Sequence, residues 1–430
     1  LFLSGYVVVL LPVILYSGSL AISGMFDIPE LLGVTHTQSI WICVWGIGII
    51  GSIYAVFGGL KAVAISDSIN AIGLLIGGLL IPVFGLLMIG DGSLLEGFSV
   101  LTTENPEKFK SMGGPTDPVP FYTIFTGMML VQLFYWGTNQ QIIQRALGAK
   151  DLKEGQKGLL LASFIKILGP IIVVLPGIAA YVIYTKGGLQ TELLGPDGVL
   201  NPDRSYPVLL NLLPVGLKGL SFAALTAAVV ASLAGKVNSI ATIFTLDIYK
   251  KKIDVDCSEQ KMVQVGKWAV FIAMMLAVVI APHLGIDKKG GFEFIQEYTG
   301  FVSPGVFAMF ILGFFWKRTT SNAALFALIG GVTFSILTKY IPTWTGVNDC
   351  MFYTAFLDGD VYMIPFMDRM GWVFIFCVVS MVIISLADPA SKNNPQGVEI
   401  DAKMFKLEPS FIFGAVVVVM AIVALYTYFW

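Results

Sequence analysis

Lys166 lies well inside the apolar run LLLASFIKILGPIIVVLPG. A charged side chain at mid-membrane costs at least about 2.5–3.5 kcal/mol on insertion scales, so one that stays there has a partner or a task. Its ammonium can donate hydrogen bonds to a polar solute from inside a helix bundle. The plainer readings are a structural ion pair, or a side chain snorkelling to the interface. The segment VQLFYWGTNQQIIQR sets Gln132, Tyr135, Trp136 and Asn139 at spacings of three and four, which align on one helix face. Amides supply donors and acceptors, and aromatic rings cover the apolar faces of a sugar, so this face suits a polyhydroxylated ligand. Interhelical hydrogen bonding plus an aromatic belt explains the same residues without one.

Three further stretches carry polar groups among apolar ones. AALTAAVVASLAGKVNSIATIFTLD places Ala228, Ala231 and Ser232 on one face. Helices hold sodium with hydroxyls and locally freed carbonyls, although close packing through small residues gives the same pattern. FEFIQEYTGFVSPG sets Phe292 and Gln296 four apart on one face, and Glu293 and Glu297 on a second, acidic row expected in solvent near the membrane edge. Asp67, in GGLKAVAISDSIN, stands just inside a span, where it either attracts a departing cation or pairs with a base such as Lys61.

These residues need helices that cross lipid to position them. The chain has 430 residues, 56% hydrophobic and 13% charged, against about 25% charged in an ordinary soluble domain. Lipid must cover most of such a surface. A crossing takes about 20 apolar residues, and the ranges 1–26, 38–60, 65–90, 118–145, 157–184, 214–247, 264–285, 292–316, 320–341, 364–387 and 410–430 satisfy that. The run 214–247 is too long for one straight crossing and is expected to tilt or to continue beyond the bilayer. If residue 1 is cytoplasmic, five inside connections, around Lys61 and at Arg145–Lys157, Lys250–Lys261, Lys317–Arg318 and Lys392–Lys406, hold 14 of the 26 basic residues. That bias predicts a cytoplasmic N-terminal end and an external C-terminus in a cell membrane. Pro12, Pro82, Pro170, Pro176 and Pro304 fall within spans, which membrane helices tolerate where neighbours re-satisfy the backbone. No linker interrupts the series, so residues 1–430 are read as a single transmembrane domain.

A net charge of -2 invites no nucleic-acid partner. The four cysteines are scattered without CxxC spacing, and His36 and His283 lie far apart, which argues against haem, di-iron or zinc. No Ser–His arrangement, HExxH or phosphate loop is present, so neither an enzyme nor a cofactor is expected.

Four stretches, GGLKAVAISDSIN, YWGTNQQIIQRALGAKDLKEGQKG, NSIATIFTLDIYK and IQEYTGFVSPGVFAMFILGFFWKRTTS, resemble the sodium/solute symporter family in its sodium–glucose cotransporter branch. The resemblance implies an all-α polytopic protein with the inverted-repeat, five-plus-five transporter fold. Sodium is then the coupling ion, and the solute is a neutral monosaccharide such as galactose or glucose, or inositol. It also implies that Lys166 and Gln296 hold the sugar, that Tyr135 covers it on the cytoplasmic side, and that Phe292 covers it on the external side. By the same resemblance Ala228, Ala231 and Ser232 match the sodium site, and Asp67 matches an acidic residue on the sodium path. Gln132 falls where a galactose-transporting member has Asn, and Ala231 where it has a hydroxyl. An apolar residue near Leu10 takes the place of a polar sugar contact. These departures weaken galactose more than they weaken sugar transport. Residue 1 falls in the third core helix, so the first core helices are expected to be missing and the chain is read as N-terminally truncated. A sodium-independent sugar sensor or leak channel, or a symporter of another small organic solute, remains the alternative expectation.

Overall fold

The computed structural model describes residues 2–195, 198–284, 291–358, 360–393, 398 and 400–429. Helices α1 (Leu3–Phe26), α2 (His36–Ile89) and α3 (Leu94–Glu104) open the chain. Then come α4 (Gly127–Thr138), α5 (Gln140–Leu147), α6 (Leu152–Ile167) and α7 (Leu175–Thr185). Next are α8 (Val215–Thr242), α9 (Glu259–Ile280), α10 (Gly291–Gly300) and α11 (Ser303–Phe315). The last three are α12 (Ser321–Thr345), α13 (Phe366–Ala387) and α14 (Pro409–Tyr428). Two small antiparallel hairpins, Asp349–Cys350 with Tyr353–Thr354 and Phe356–Asp358 with Val361–Met363, join α12 to α13.

Among the described residues, nine of the expected apolar stretches are helical segments long and apolar enough to cross a membrane. The other two, 118–145 and 292–316, are broken in mid-course: α4 stops at Thr138 and α10 at Gly300. Two of the nine, His36–Phe57 and Ile65–Ile89, lie within α2. The connection expected around Lys61 falls on 58–64, whose side chains lie outside the described residues. The long run after Pro214 continues from α8 into a π-helical stretch over Ile243–Ile253.

Side chains close the helix starts. Thr35 and Gln38 form a capping box on α2, and Ser93, Ser258 and Thr320 cap α3, α9 and α12. Asp27 turns the end of α1 in the left-handed conformation, φ 45°.

The helices gather into two compact units, each built from two separated stretches of chain: 1–109 with 164–295, and 110–163 with 296–430. In the first, Leu11, Leu15, Ile40, Leu233, Ile240 and Met274 form a continuous buried core across α1, α2, α8 and α9. In the second, Ala308, Ala323, Ala327, Val373, Cys377 and Met381 bind α11, α12 and α13 together. A Cβ on Gly305 would collide with the Ala327 carbonyl, so α11 and α12 approach through glycine and alanine as membrane helices do. On α13 the buried stripe Val373, Cys377, Met381 is matched by an exposed one, Ile375, Val379 and Ile383, each more than half exposed. An apolar stripe turned outward at helical spacing is the mark of a lipid-facing helix.

Candidate functional site

In the second unit, α4 carries three of the sugar-face residues. Gln132 and Trp136 are half-buried, and Tyr135 is exposed, its ring standing edge-on to Trp136 at 5.8 Å. The Gln132 amide lies 4.0 Å from the Met128 sulfur. Asn139 has a different setting. Its alignment with the other three assumes an unbroken helix, but α4 ends at Thr138 and Asn139 turns to extended backbone, φ -72° and ψ 118°. Its side-chain oxygen accepts the Gln141 backbone N–H at 3.0 Å and so caps α5. Asn139 is the hinge of the break.

Gln296 is half-buried on α10, and its carbonyl accepts from the Thr299 hydroxyl at 3.3 Å. The side chains of Phe292 and Glu293 lie outside the described residues. Glu297 departs from the solvated position expected of it: only 8% is exposed. One of its oxygens, Oε1, accepts from Lys339 Nζ of α12 at 2.8 Å and from Arg369 Nη2 of α13 at 3.2 Å. Both cations stand beside the Phe301 ring, 5.8 and 5.6 Å from its centre. A buried carboxylate is tolerable only with such partners. The residue before Arg369 on α13, Asp368, is also buried and accepts from the Tyr122 hydroxyl at 3.3 Å.

In the first unit, Lys166 occupies the last turn of α6 and is exposed. Four residues on, Pro170 has no N–H to give the Lys166 carbonyl, and the helix widens into a π-helical turn over Pro170–Val174. Such turns recur at functional sites. Helix α8 passes unbroken through Ala228, Ala231 and Ser232, of which Ala231 is buried and the other two half-buried. Asp67 is half-buried on α2, and the Lys61 side chain lies outside the described residues.

Sequence reasoning passed over Lys236, which is 7% exposed, one helical turn beyond Ser232, with its ammonium 4.9 Å from the centre of the Tyr6 ring. It also passed over Thr226 and Asn238. Each holds a buried polar atom without a hydrogen-bond partner among the described residues. An ionisable residue within a span was itself the signal for Lys236.

The sequence pattern of the sodium:solute symporter family matches residues 2–331. The chain belongs to that family. It is 36% identical to the sodium/glucose cotransporter of Vibrio parahaemolyticus, over 100% of this chain and 75% of that protein. It is 40% identical to the uncharacterized symporter YidK of Escherichia coli, over 80% and 59% of the two lengths. With human sodium/myo-inositol cotransporter 2 the identity is 30%, over 69% and 47%. The chain thus spans three quarters of the first relative and less than two thirds of the other two. In three dimensions it resembles a Na+-coupled sialic acid symporter solved in a substrate-bound outward-open state. The TM-score is 0.65 at 20% identity, covering 91% of this chain and 75% of that one. The fold is the inverted-repeat transporter fold that the sequence resemblance implied. Members of this symporter family are transporters with sodium as coupling ion.

Proposed function

We propose that this protein couples sodium entry to uptake of a neutral, hydroxyl-rich solute, a monosaccharide such as glucose or galactose, or inositol, by alternating access. The observation that carries the reading is that Gln132 and Gln296 are each half-buried polar residues on helices that break shortly afterwards. Breaks free backbone groups to meet a polar ligand in the membrane interior, where continuous helices have none to spare. The likeness to proteins named as sodium/glucose and sodium/myo-inositol cotransporters supports the solute class.

In this reading Gln132, Tyr135, Trp136, Asn139, Lys166, Phe292 and Gln296 are the solute residues. Ala228, Ala231 and Ser232 hold sodium, Ser232 alone by a side-chain oxygen. Sodium stabilises the outward-open form that engages solute. Coupling requires both ligands to favour that form, since each shifts the equilibrium only by its differential affinity. Sodium leaves past Asp67, and Tyr135 swings aside to release solute inward. Tracer glucose, galactose and myo-inositol uptake into proteoliposomes tests this: concentrative uptake is expected in sodium buffer and not in choline. Equal uptake in the two buffers overturns sodium coupling.

Ala231, with no hydroxyl to give, favours a second reading, a sodium-independent sensor or leak. Solute binding without concentrative uptake would support it. We also infer that the residue 1 end faces the cytoplasm and the C-terminus the exterior of the cell membrane. An impermeant thiol reagent on intact cells should then label Asp117→Cys but not Lys252→Cys in a background lacking the four native cysteines.

A further inference from the structure

Helix α10 is short. It spans ten residues, Gly291–Gly300, and a turn at Phe301–Val302 separates it from α11. Backbone continuity with a long helix therefore does not set which way its side chains point. The contact with α13 does. Glu297 and Gly300, three apart and so on one face, meet the consecutive residues Arg369 and Met370: Glu297 through the 3.2 Å ion pair, Gly300 through backbone so close that a Cβ there would lie 3.2 Å from the Met370 sulfur. Lys339 of α12 closes on the same Glu297 oxygen from a second helix. Carboxylate and guanidinium are both more than nine-tenths buried, where salt screens such attractions least.

Gln296 is the residue before Glu297, about 100° away around a helix of 3.6 residues per turn. Whatever fixes one fixes the other. We infer that Glu297, clamped by Arg369 and Lys339, is a positioning residue that sets the rotation of α10 and thereby aims the Gln296 amide at the solute. The inference rests on the reading that Gln296 binds solute. Apolar packing would hold a helix against its neighbours without fixing its rotation so closely, whereas charge-assisted hydrogen bonds onto one oxygen from two helices define an angle. The Glu297 carboxylate itself does not touch solute in this scheme.

The test is a double-mutant cycle read by sodium-driven uptake into proteoliposomes, with the protein at its native length and with tracer glucose and tracer myo-inositol in parallel. Glu297→Gln is expected to raise KM about tenfold and to leave the maximal rate within about twofold, the pattern of a lost binding geometry. In a Gln296→Ala background the same change should raise KM by less than about twofold, because residues acting through one another are not additive. Glu297→Asp should recover part of the affinity. Lys339→Met, which keeps the pair with Arg369, should give a smaller rise with the same dependence on Gln296, and it carries the comparison if Glu297→Gln does not accumulate. Equal KM effects with and without Gln296, or reduced abundance at unchanged KM, overturn the inference and make the clamp structural only. Absence of sodium-dependent uptake of either tracer by the unmodified protein overturns the functional reading, and this inference with it.

Discussion

Ser239 and Thr242 of α8 and Glu297 of α10 find their partners in opposite ways. On α8, Ser239 donates to the Gly235 carbonyl at 3.0 Å and Thr242 to the Asn238 carbonyl at 2.8 Å, each within its own helix. The helix needs no neighbour for these bonds and stays unbroken. On α10, Glu297 is held by cations of α12 and α13, and the helix is cut after Gly300. A helix whose hydroxyls bond back to its own carbonyls is a rigid wall that offers small-residue surface. A helix held from outside can be short, broken and aimed. In the proposed mechanism the ion goes to the first kind and the solute to the second.

The widest expected difference between the two regions is in stability. Arg369→Leu leaves a buried carboxylate short of one partner and should cost on the order of 3–5 kcal/mol. The comparably buried Ser239→Ala loses one local bond worth about 1 kcal/mol. Thermal unfolding in detergent and membrane abundance measure both, and equal losses would break the comparison. Lys166→Ala should raise solute KM about thirtyfold, in line with a hydrogen bond from a charged donor worth about 2 kcal/mol, with abundance unchanged. Failure of that variant to accumulate would instead mark Lys166 as half of an ion pair. Lys236→Met removes a cation one turn from Ser232. Unit charges about 7 Å apart repel by about 2 kcal/mol at an effective dielectric constant of about 20. Half-saturation by sodium should therefore fall up to about tenfold in uptake assays. Ala231→Ser should tighten sodium by about threefold, since one added hydroxyl contributes well under the worth of a charged contact. An unchanged sodium dependence in both α8 variants would remove the ion from that helix.

The spans were legible because lipid imposes length and apolarity on each segment separately. The breaks were half-legible. Asn139 is a capping type, and Gly300 with Pro304 punctuates TGFVSPG, yet periodicity alone carried α4 straight through Asn139. Glu297 was misplaced for a deeper reason. Its partner Arg369 is 72 residues away on another helix, and spacing within one segment says nothing about which face a distant helix will cover. Lys236 was hidden by its surroundings, a run of small residues that invites a packing explanation for everything inside it.

The interleaving of the two units bears on how the chain is made. The segment from 1 to 109 leaves the ribosome without the stretch from 164 to 295 that completes its unit, and residues 110–163, which belong elsewhere, emerge in between. Neither half can be finished before the other has begun. Early helices must therefore wait in the bilayer with open faces, sheltered by lipid or by the insertion machinery, and unit-by-unit maturation of the nascent chain is closed to this topology.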